Sequence, residues 1–261
     1  MRKIKYFGSK TYMMPEIIKI VGHVINNCSC FVDVFGGSAR VVISLPHEWK
    51  IKKVYNDKDK NIYRIIKFLS NIKNNDVNKF LVLHSDYFNE LKDKFLQNND
   101  SLTDFELFYL QFFSFNGKFT SISRAIRDRR FEIDWKVYKN LECENMDFID
   151  LINFYDSEAT FFYLDPPYLV EQDYKVGFKE QDFINLKEKL DNIKGFWLMN
   201  HTKDETIERI FGQPKFWKEY TNFAFKNKKN RNAVSSRIEG FWTNFPIQNR
   251  NLNDSFNHLN L

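Results

Sequence analysis

Cysteine is scarce: Cys28, Cys30 and Cys143 are the only three. Their number is odd and no Cys-x-x-Cys pair occurs, which argues against a disulfide framework or a zinc site and suits reduced thiols in a cytoplasm. No run of about 18 apolar residues is present, so a membrane-spanning helix is not expected. The stretch Met1-Arg2-Lys3-Ile4-Lys5 lacks the apolar segment of a signal peptide. A soluble, cytoplasmic protein is therefore the expectation. No internal repeat is visible. There is also no G-x-G-x-x-G motif, so pyrophosphate binding of the dinucleotide type is not supported.

What is present suits a packed globule. The chain has 261 residues, 43% hydrophobic and 17% aromatic. That is enough for one large core, or for a core carrying an inserted subdomain. The net charge of +5 is compatible with a polyanionic partner. Where the basic residues sit matters more than their sum.

Hydrophobic spacing predicts a helix over 14–26, with Pro15 in its first turn and Ile17, Ile18, Val21, Val24 and Ile25 on one face. A strand over 31–34 then meets Gly36-Gly37-Ser38, and a helix follows from Ala39. A second strand over 53–55 ends at Asn56-Asp57, before a helix over 61–72 with Ile62, Ile65, Ile66, Leu69 and Ile72 inward. Strand then helix, twice, signals a parallel α/β sheet. The rhythm breaks over 73–139, read as an insertion. Within it, Thr103-Asp104-Phe105-Glu106 is a capping box opening a helix whose buried face is Phe105, Phe108, Tyr109 and Phe112. Asn116-Gly117 closes that helix. Residues 118–139 lack helical period and suit a hairpin or ordered loop. The rhythm resumes after 140, with a buried strand over 161–164 and a helix carrying Phe183, Leu186, Leu190 and Ile193, closed by Gly195. A strand over 196–199 and a capping box from Thr202 to Glu205 follow; late strands lie near 216–225 and 237–243. The division is thus a sheet domain over 1–72 and 140–247, an insertion over 73–139, and a polar tail over 248–261.

Four segments carry chemistry. Asp165-Pro166-Pro167-Tyr168 follows the apolar run Phe161-Phe162-Tyr163-Leu164. A carboxylate accepts from an exocyclic amine, and Pro167 keeps Pro166 extended so that a carbonyl can face the same amine. Tyr168 offers a stacking ring and a hydroxyl. The same residues could serve as a plain Pro-Pro turn. In Phe31-Val32-Asp33-Val34-Phe35-Gly36-Gly37-Ser38-Ala39 a strand enters a glycine turn before a helix N-terminus, which lets a ligand approach the backbone. Asp57, about twenty residues on, stands where nucleotide-binding sheets hold ribose hydroxyls. Tyr6-Phe7-Gly8-Ser9-Lys10 supplies a cation and backbone donors, and Asp147-Phe148 pairs an acceptor with an aromatic.

In this order the motifs resemble the Dam-like DNA adenine-N6 methyltransferases, the D12 or alpha group of S-adenosylmethionine-dependent enzymes. The resemblance runs from about residue 3 to 246, and Asn200-His201 and Asn230-Arg231-Asn232 also look like that family's later segments. It implies a Rossmann-like α/β methyltransferase sheet with helices on both faces, and a mainly helical target-recognition insertion. It further implies that Tyr6 and Lys10 contact the methionine end of the cofactor and that Phe35, Gly36 and Gly37 form its floor. Asp57 would take the ribose, Asp147 and Phe148 would bracket the adenine, and Asp165, Pro166 and Tyr168 would hold the target base beside the cofactor. S-adenosylhomocysteine would be the product. Two departures stand out. Ala39 occupies a position where the family usually has a further glycine, and a methyl there is small enough that cofactor binding should survive. Beyond Asn116-Gly117 the insertion does not follow the pattern of GATC readers, so GATC is not implied as the target.

DNA contact needs a basic surface. Asn116, Lys118, Arg124, Arg127, Arg129, Arg130, Lys136 and Lys139 lie in the insertion, and Lys226, Lys228, Lys229, Arg231 and Arg237 form a second cluster. Arginines read guanine edges while lysines mostly hold phosphates; either cluster could also be a solvated loop. The first is expected to include the sequence readers and the second to hold backbone. Double-stranded DNA is the expected partner, with a monomer or weak dimer, a possible restriction endonuclease partner, and neither metal nor membrane. RNA adenine methylation, or a nucleic-acid-binding module with a decayed cofactor site, are the alternative readings.

Overall fold

The structure is a computed structural model that describes residues 11–73, 81–123, 133–169, 177–222 and 235–247. Its centre is a seven-stranded sheet: β1 Cys30–Asp33, β2 Lys52–Asn56, β3 Leu141–Glu144, β4 Thr160–Leu164, β5 Phe196–Thr202, β6 Phe216–Asn222 and β7 Ser235–Thr243. The spatial order is β3-β2-β1-β4-β5-β7-β6. The first five strands run parallel, and β7 pairs antiparallel with both β5 and β6. All five residues of β4 are buried, as a strand covered on both faces requires.

Alternate residues of each strand feed two cores. Phe31, Tyr55, Phe161, Tyr163 and Leu198 face one side. There they meet α1 Met14–Gly22, α2 Arg40–Ser44, α3 Lys60–Ser70, α4 Ser85–Gln97 and α5 Asp104–Phe113. Val32, Val54, Phe162, Leu164 and Met199 face the other, against α6 Phe148–Tyr155, α7 Glu180–Asp191 and α8 Glu205–Phe211. Helices thus cover both faces, the Rossmann-like arrangement anticipated from the strand-helix rhythm. Among the described residues no helix is long and apolar enough to cross a membrane.

Several local expectations need correction. The first helix stops at Gly22, and a short 3-10 turn over Ile25–Asn27 replaces its predicted end. Glycine is a weak helix former, which favours the break. Ile72 and Ile193 lie beyond the ends of α3 and α7. Asp204, rather than Thr202, caps α8 by accepting from the Thr206 and Ile207 N–H groups, because Thr202 still belongs to β5. The Thr103–Glu106 capping box is present, but α5 is buried all round from Leu107 to Phe113 and ends at Phe113, not at Asn116-Gly117. Its burial has a cause in α4, which the sequence reading missed although Tyr87, Phe88, Leu91 and Phe95 carry the helical spacing. After α5 the chain doubles back. Phe115 N–H donates to the Ser121 carbonyl (2.6 Å), Ser123 N–H to that of Phe113 (2.9 Å), and Ser114 bridges Ile122.

The described helices between α3 and β3 pack onto the sheet. Side chains of α4 and α5 belong to the same apolar cluster as those of α1, α2 and α3. Phe68 of α3 packs against Phe105 and Phe108, and Arg64 Nε donates to Asp104 Oδ1 at 2.7 Å.

Candidate active site

Because β1 to β5 are parallel, their C-terminal ends open on one side of the sheet, where ligands bind in open α/β folds. Three of the segments singled out from sequence, together with Asp57, leave the sheet at that side.

The glycine turn after β1 is braced from β2. Tyr55 lies behind it, and its hydroxyl donates to the Gly37 carbonyl at 2.8 Å. A Cβ on Gly36 would stand 2.3 Å from the Tyr55 ring, so only glycine fits. Gly37 N–H donates to Asp57 Oδ2 at 2.8 Å, and Asp59 N–H to Asp57 Oδ1 at 2.8 Å. Asp57 is thereby locked beside the turn, and a carboxylate with about four acceptor positions retains two for hydroxyl donors. Burial pushes its carboxyl up to about 6, with the two backbone N–H groups pulling the other way. Ala39 completes the turn in the left-handed region, at φ 58°. A side chain there costs about 1–2 kcal/mol, so glycine would be the easier residue at this position.

Next to this turn lies an aromatic group. Phe35 from the β1 exit, Phe148 at the start of α6 and Phe178 before α7 meet with ring centroids 5.3–5.8 Å apart. Asn56 ties the strand ends beneath them: its Nδ2 donates to the Val34 carbonyl and its Oδ1 accepts from Met146 N–H. Asp147 caps α6 by accepting from Ile149 N–H at 3.0 Å and pairs with Lys58 at 2.7 Å. Partial burial raises its carboxyl, but Lys58 and the Ile149 N–H outweigh it and leave the group below its ordinary value.

Asp165 to Tyr168 leave β4 beside the glycine turn. Asn200 Nδ2 donates to Asp165 Oδ1 at 3.2 Å, and the Tyr163 hydroxyl donates to Asn200 Oδ1 at 2.5 Å. Beneath them sits Asp33, 1% exposed, whose carboxyl is pushed up to about 8. Burial is the main cause, opposed by a Val42 N–H donor and reinforced by Asp165 and Asp57. Pro166 is buried and Tyr168 half-buried. The Arg237 guanidinium lies 4.9 Å over the Tyr168 ring and donates to its hydroxyl. Arg237 Nε pairs with the buried Glu239 at 3.0 Å, and Glu239 also accepts from Tyr12 at 3.0 Å. The His201 ring meets the Tyr168 ring edge-on.

Phe35, Gly36, Gly37, Asp57, Asp147, Phe148, Asp165, Pro166 and Tyr168 are therefore brought to one end of the sheet. Lys118 is exposed after α5, in the insertion, and Asn116 belongs to the 3-10 turn Phe115–Gly117. Tyr6, Lys10, Arg124, Arg127, Arg129, Arg130, Lys228 and Arg231 lie outside the described residues. Sequence reasoning missed Phe178, Tyr163, Tyr12 and Glu239 as parts of this end of the sheet, since none belongs to a local motif. It placed Arg237 in a basic surface cluster, whereas the side chain folds back onto Tyr168. The three cysteines form no disulfide, and burial pushes each thiol up to about 11, which makes them poor nucleophiles.

No curated protein matches the chain. One family model does match it. That model, of the D12 class N6 adenine-specific DNA methyltransferases, matches residues 6–232, and the chain belongs to this family.

Proposed function

We propose that this chain methylates N6 of a flipped-out adenine in double-stranded DNA, with S-adenosylmethionine as donor and S-adenosylhomocysteine as by-product. The reading rests on one observation: Asp165 leaves β4 with its carboxylate held by Asn200, beside a glycine turn that presents Asp57 and an aromatic wall.

The residues at the sheet end fit the donor. Asp57 retains acceptor positions for two ribose hydroxyls, and Phe35, Phe148 and Phe178 offer apolar faces to a purine. Gly36 and Gly37 let it approach the backbone, and Tyr6 and Lys10 would hold its methionine end. Asp147 would take the purine amine only with acceptor capacity left over from Ile149 and Lys58. When bound, the donor supplies an electrophilic methyl group.

Adenine N6 is a poor nucleophile because its lone pair is delocalised into the ring. Asp165 would accept one of its N–H groups and the Pro166 carbonyl the other, which favours a pyramidal nitrogen with its lone pair aimed at the methyl. Positive charge grows on N6 during transfer, so a fixed carboxylate stabilises the transition state more than the ground state. Positioning supplies much of the rest. Flipping the base costs a few kcal/mol, and stacking on Tyr168, about 1–3 kcal/mol, offsets part of that. Residues 73–139 would form the recognition segment, with Asn116, Lys118, Arg124, Arg127, Arg129 and Arg130 on the DNA and Lys228 and Arg231 on its backbone.

Expression in a methylation-free bacterial host, followed by sequencing that detects N6-methyladenine, tests both activity and target. Methyl marks at one sequence are the expected result. Labelled transfer to RNA but not DNA would shift the reading to the other polymer. Cofactor binding without transfer to any DNA would refute it.

A further inference from the structure

We propose that Asn200 is the positioning residue for the catalytic carboxylate of Asp165, and that Tyr163 holds Asn200 in the orientation in which it works. The inference rests on the methyl-transfer reading above and extends it from the residue that touches the base to those that aim it.

The argument begins with the two prolines. An aspartate in a loop or cap is ordinarily anchored by the N–H groups one to three residues ahead of it. Other aspartates of this protein follow that rule. Asp57 accepts from Asp59 N–H, Asp59 from Asn61 N–H, Asp147 from Ile149 N–H and Asp204 from Thr206 N–H. At Asp165 the next two residues are Pro166 and Pro167, and neither has an N–H to give. The motif itself deletes those two local donors. This keeps them from consuming the carboxylate, but the terminal torsion of aspartate is broad, so its plane needs a donor from elsewhere to set it.

β5 supplies one. The last paired residues of β4 and β5 are Leu164 and Met199, so Asn200 stands one step further on, beside Asp165. Its side chain is fully buried, and its Nδ2 is 3.2 Å from Asp165 Oδ1. An amide has a donor end and an acceptor end of nearly the same shape, so something must decide which end faces the carboxylate. The ionised carboxylate only accepts, so it takes the Nδ2 end, and Tyr163 holds the amide that way round: its buried hydroxyl donates to Asn200 Oδ1 at 2.5 Å. The reversed amide would turn its oxygen toward a carboxylate, acceptor against acceptor, and give up the bond from the Tyr163 hydroxyl to Oδ1. Only one arrangement of the three side chains satisfies all of them. Asn200 thus fixes the plane in which Asp165 meets the amine.

The test uses the full chain, S-adenosylmethionine and unmethylated bacterial genomic DNA. Asn200→Leu, Tyr163→Phe and the double variant are compared with the wild type for kcat, both KM values and melting temperature. Loss of a hydrogen bond to a charged group predicts that Asn200→Leu lowers kcat by about 10- to 100-fold with both KM values unchanged. Tyr163→Phe should lower kcat by less. The double variant should be no slower than Asn200→Leu, because Tyr163 acts through Asn200. An unimpaired kcat, or a loss confined to KM, overturns the role of Asn200; losses that multiply in the double variant overturn that of Tyr163. If Asn200→Leu fails to fold, Tyr163→Phe decides, since it leaves Asn200 in place. A wild type that transfers no methyl group to DNA overturns the parent reading and this one with it, whereas an active wild type with unimpaired variants overturns this one alone.

Discussion

Replacing Asp33 by Asn should make the protein more stable as pH rises relative to the wild type. Asp33 closes β1 with 1% exposure and accepts a long hydrogen bond, 3.4 Å, from Val42 N–H. Burial, then the Asp165 and Asp57 charges, lift its carboxyl from 3.8 to about 8 against the pull of Val42. In the folded chain the group therefore keeps its proton at pH 7, while in the unfolded chain it loses it. Between those two values the native state binds one proton more than the unfolded state, so stability falls as pH rises, by about 1.36 kcal/mol per unit. Four units give about 5 kcal/mol, and relaxation and water entry around a buried charge reduce this to about 2–3 kcal/mol. The stabilisation is fully present below pH 4 and is lost as pH climbs toward 8. The amide of the variant would not titrate, so the difference between variant and wild type should grow across that window and level off above it. Asp57, raised in the same direction, is present in both proteins and cancels. Urea melts of both proteins from about pH 5 to pH 8.5 measure the difference. Parallel curves would refute the protonated, buried carboxyl. Donor affinity by calorimetry at pH 7 should be unchanged, because the amide replaces a neutral group of the same shape.

Three further outcomes follow from the geometry. Gly36→Ala puts a methyl 2.3 Å from the Tyr55 ring and 3.0 Å from the Asn56 carbonyl, so it should cost about 1–3 kcal/mol in a melt and weaken donor binding in calorimetry; unchanged affinity would contradict the cradle. Asp165→Ala should lower methyl transfer at least about 100-fold while the protein still folds and melts cooperatively, and retained turnover would remove Asp165 from the chemistry. Arg237→Ala takes the cation from the Tyr168 ring and from Glu239. Fluorescence of a 2-aminopurine duplex should report weaker base capture, and an unchanged signal would show that Tyr168 needs no support from β7.

The parallel sheet was legible because its strands are short apolar runs followed by helices of clear period, as in Phe161 to Leu164 and in Ile62, Ile65, Ile66 and Leu69. β3 was not, because at the sheet edge only Leu141 of its four residues is buried and two of the other three are glutamates. The helix α4 carried its signal in Tyr87, Phe88, Leu91 and Phe95, yet charged residues between them hid it. Thr202 and Asp204 illustrate a different limit. Both precede a helix with the right residue type, and which one caps depends on how far β5 extends to pair with β7.

Local chemistry along the chain determined which groups could do the work. A strand that ends in glycines must turn without side chains, a lone aspartate twenty residues on can reach that turn, and two prolines after Asp165 offer its carboxylate no N–H. These follow from bond geometry and hydrogen-bonding capacity, which need no neighbours. Only the tertiary structure decided how those groups are held. Tyr163 and Asn200 are 37 residues apart and Arg237 stands 69 from Tyr168, so their meeting depends on strand register and on the reversal of β7. Burial, which lifts Asp33, and the hydrogen bonds to Asp165 and Tyr163 that turn the Asn200 amide one way belong to the packed core and have no counterpart in the linear chain.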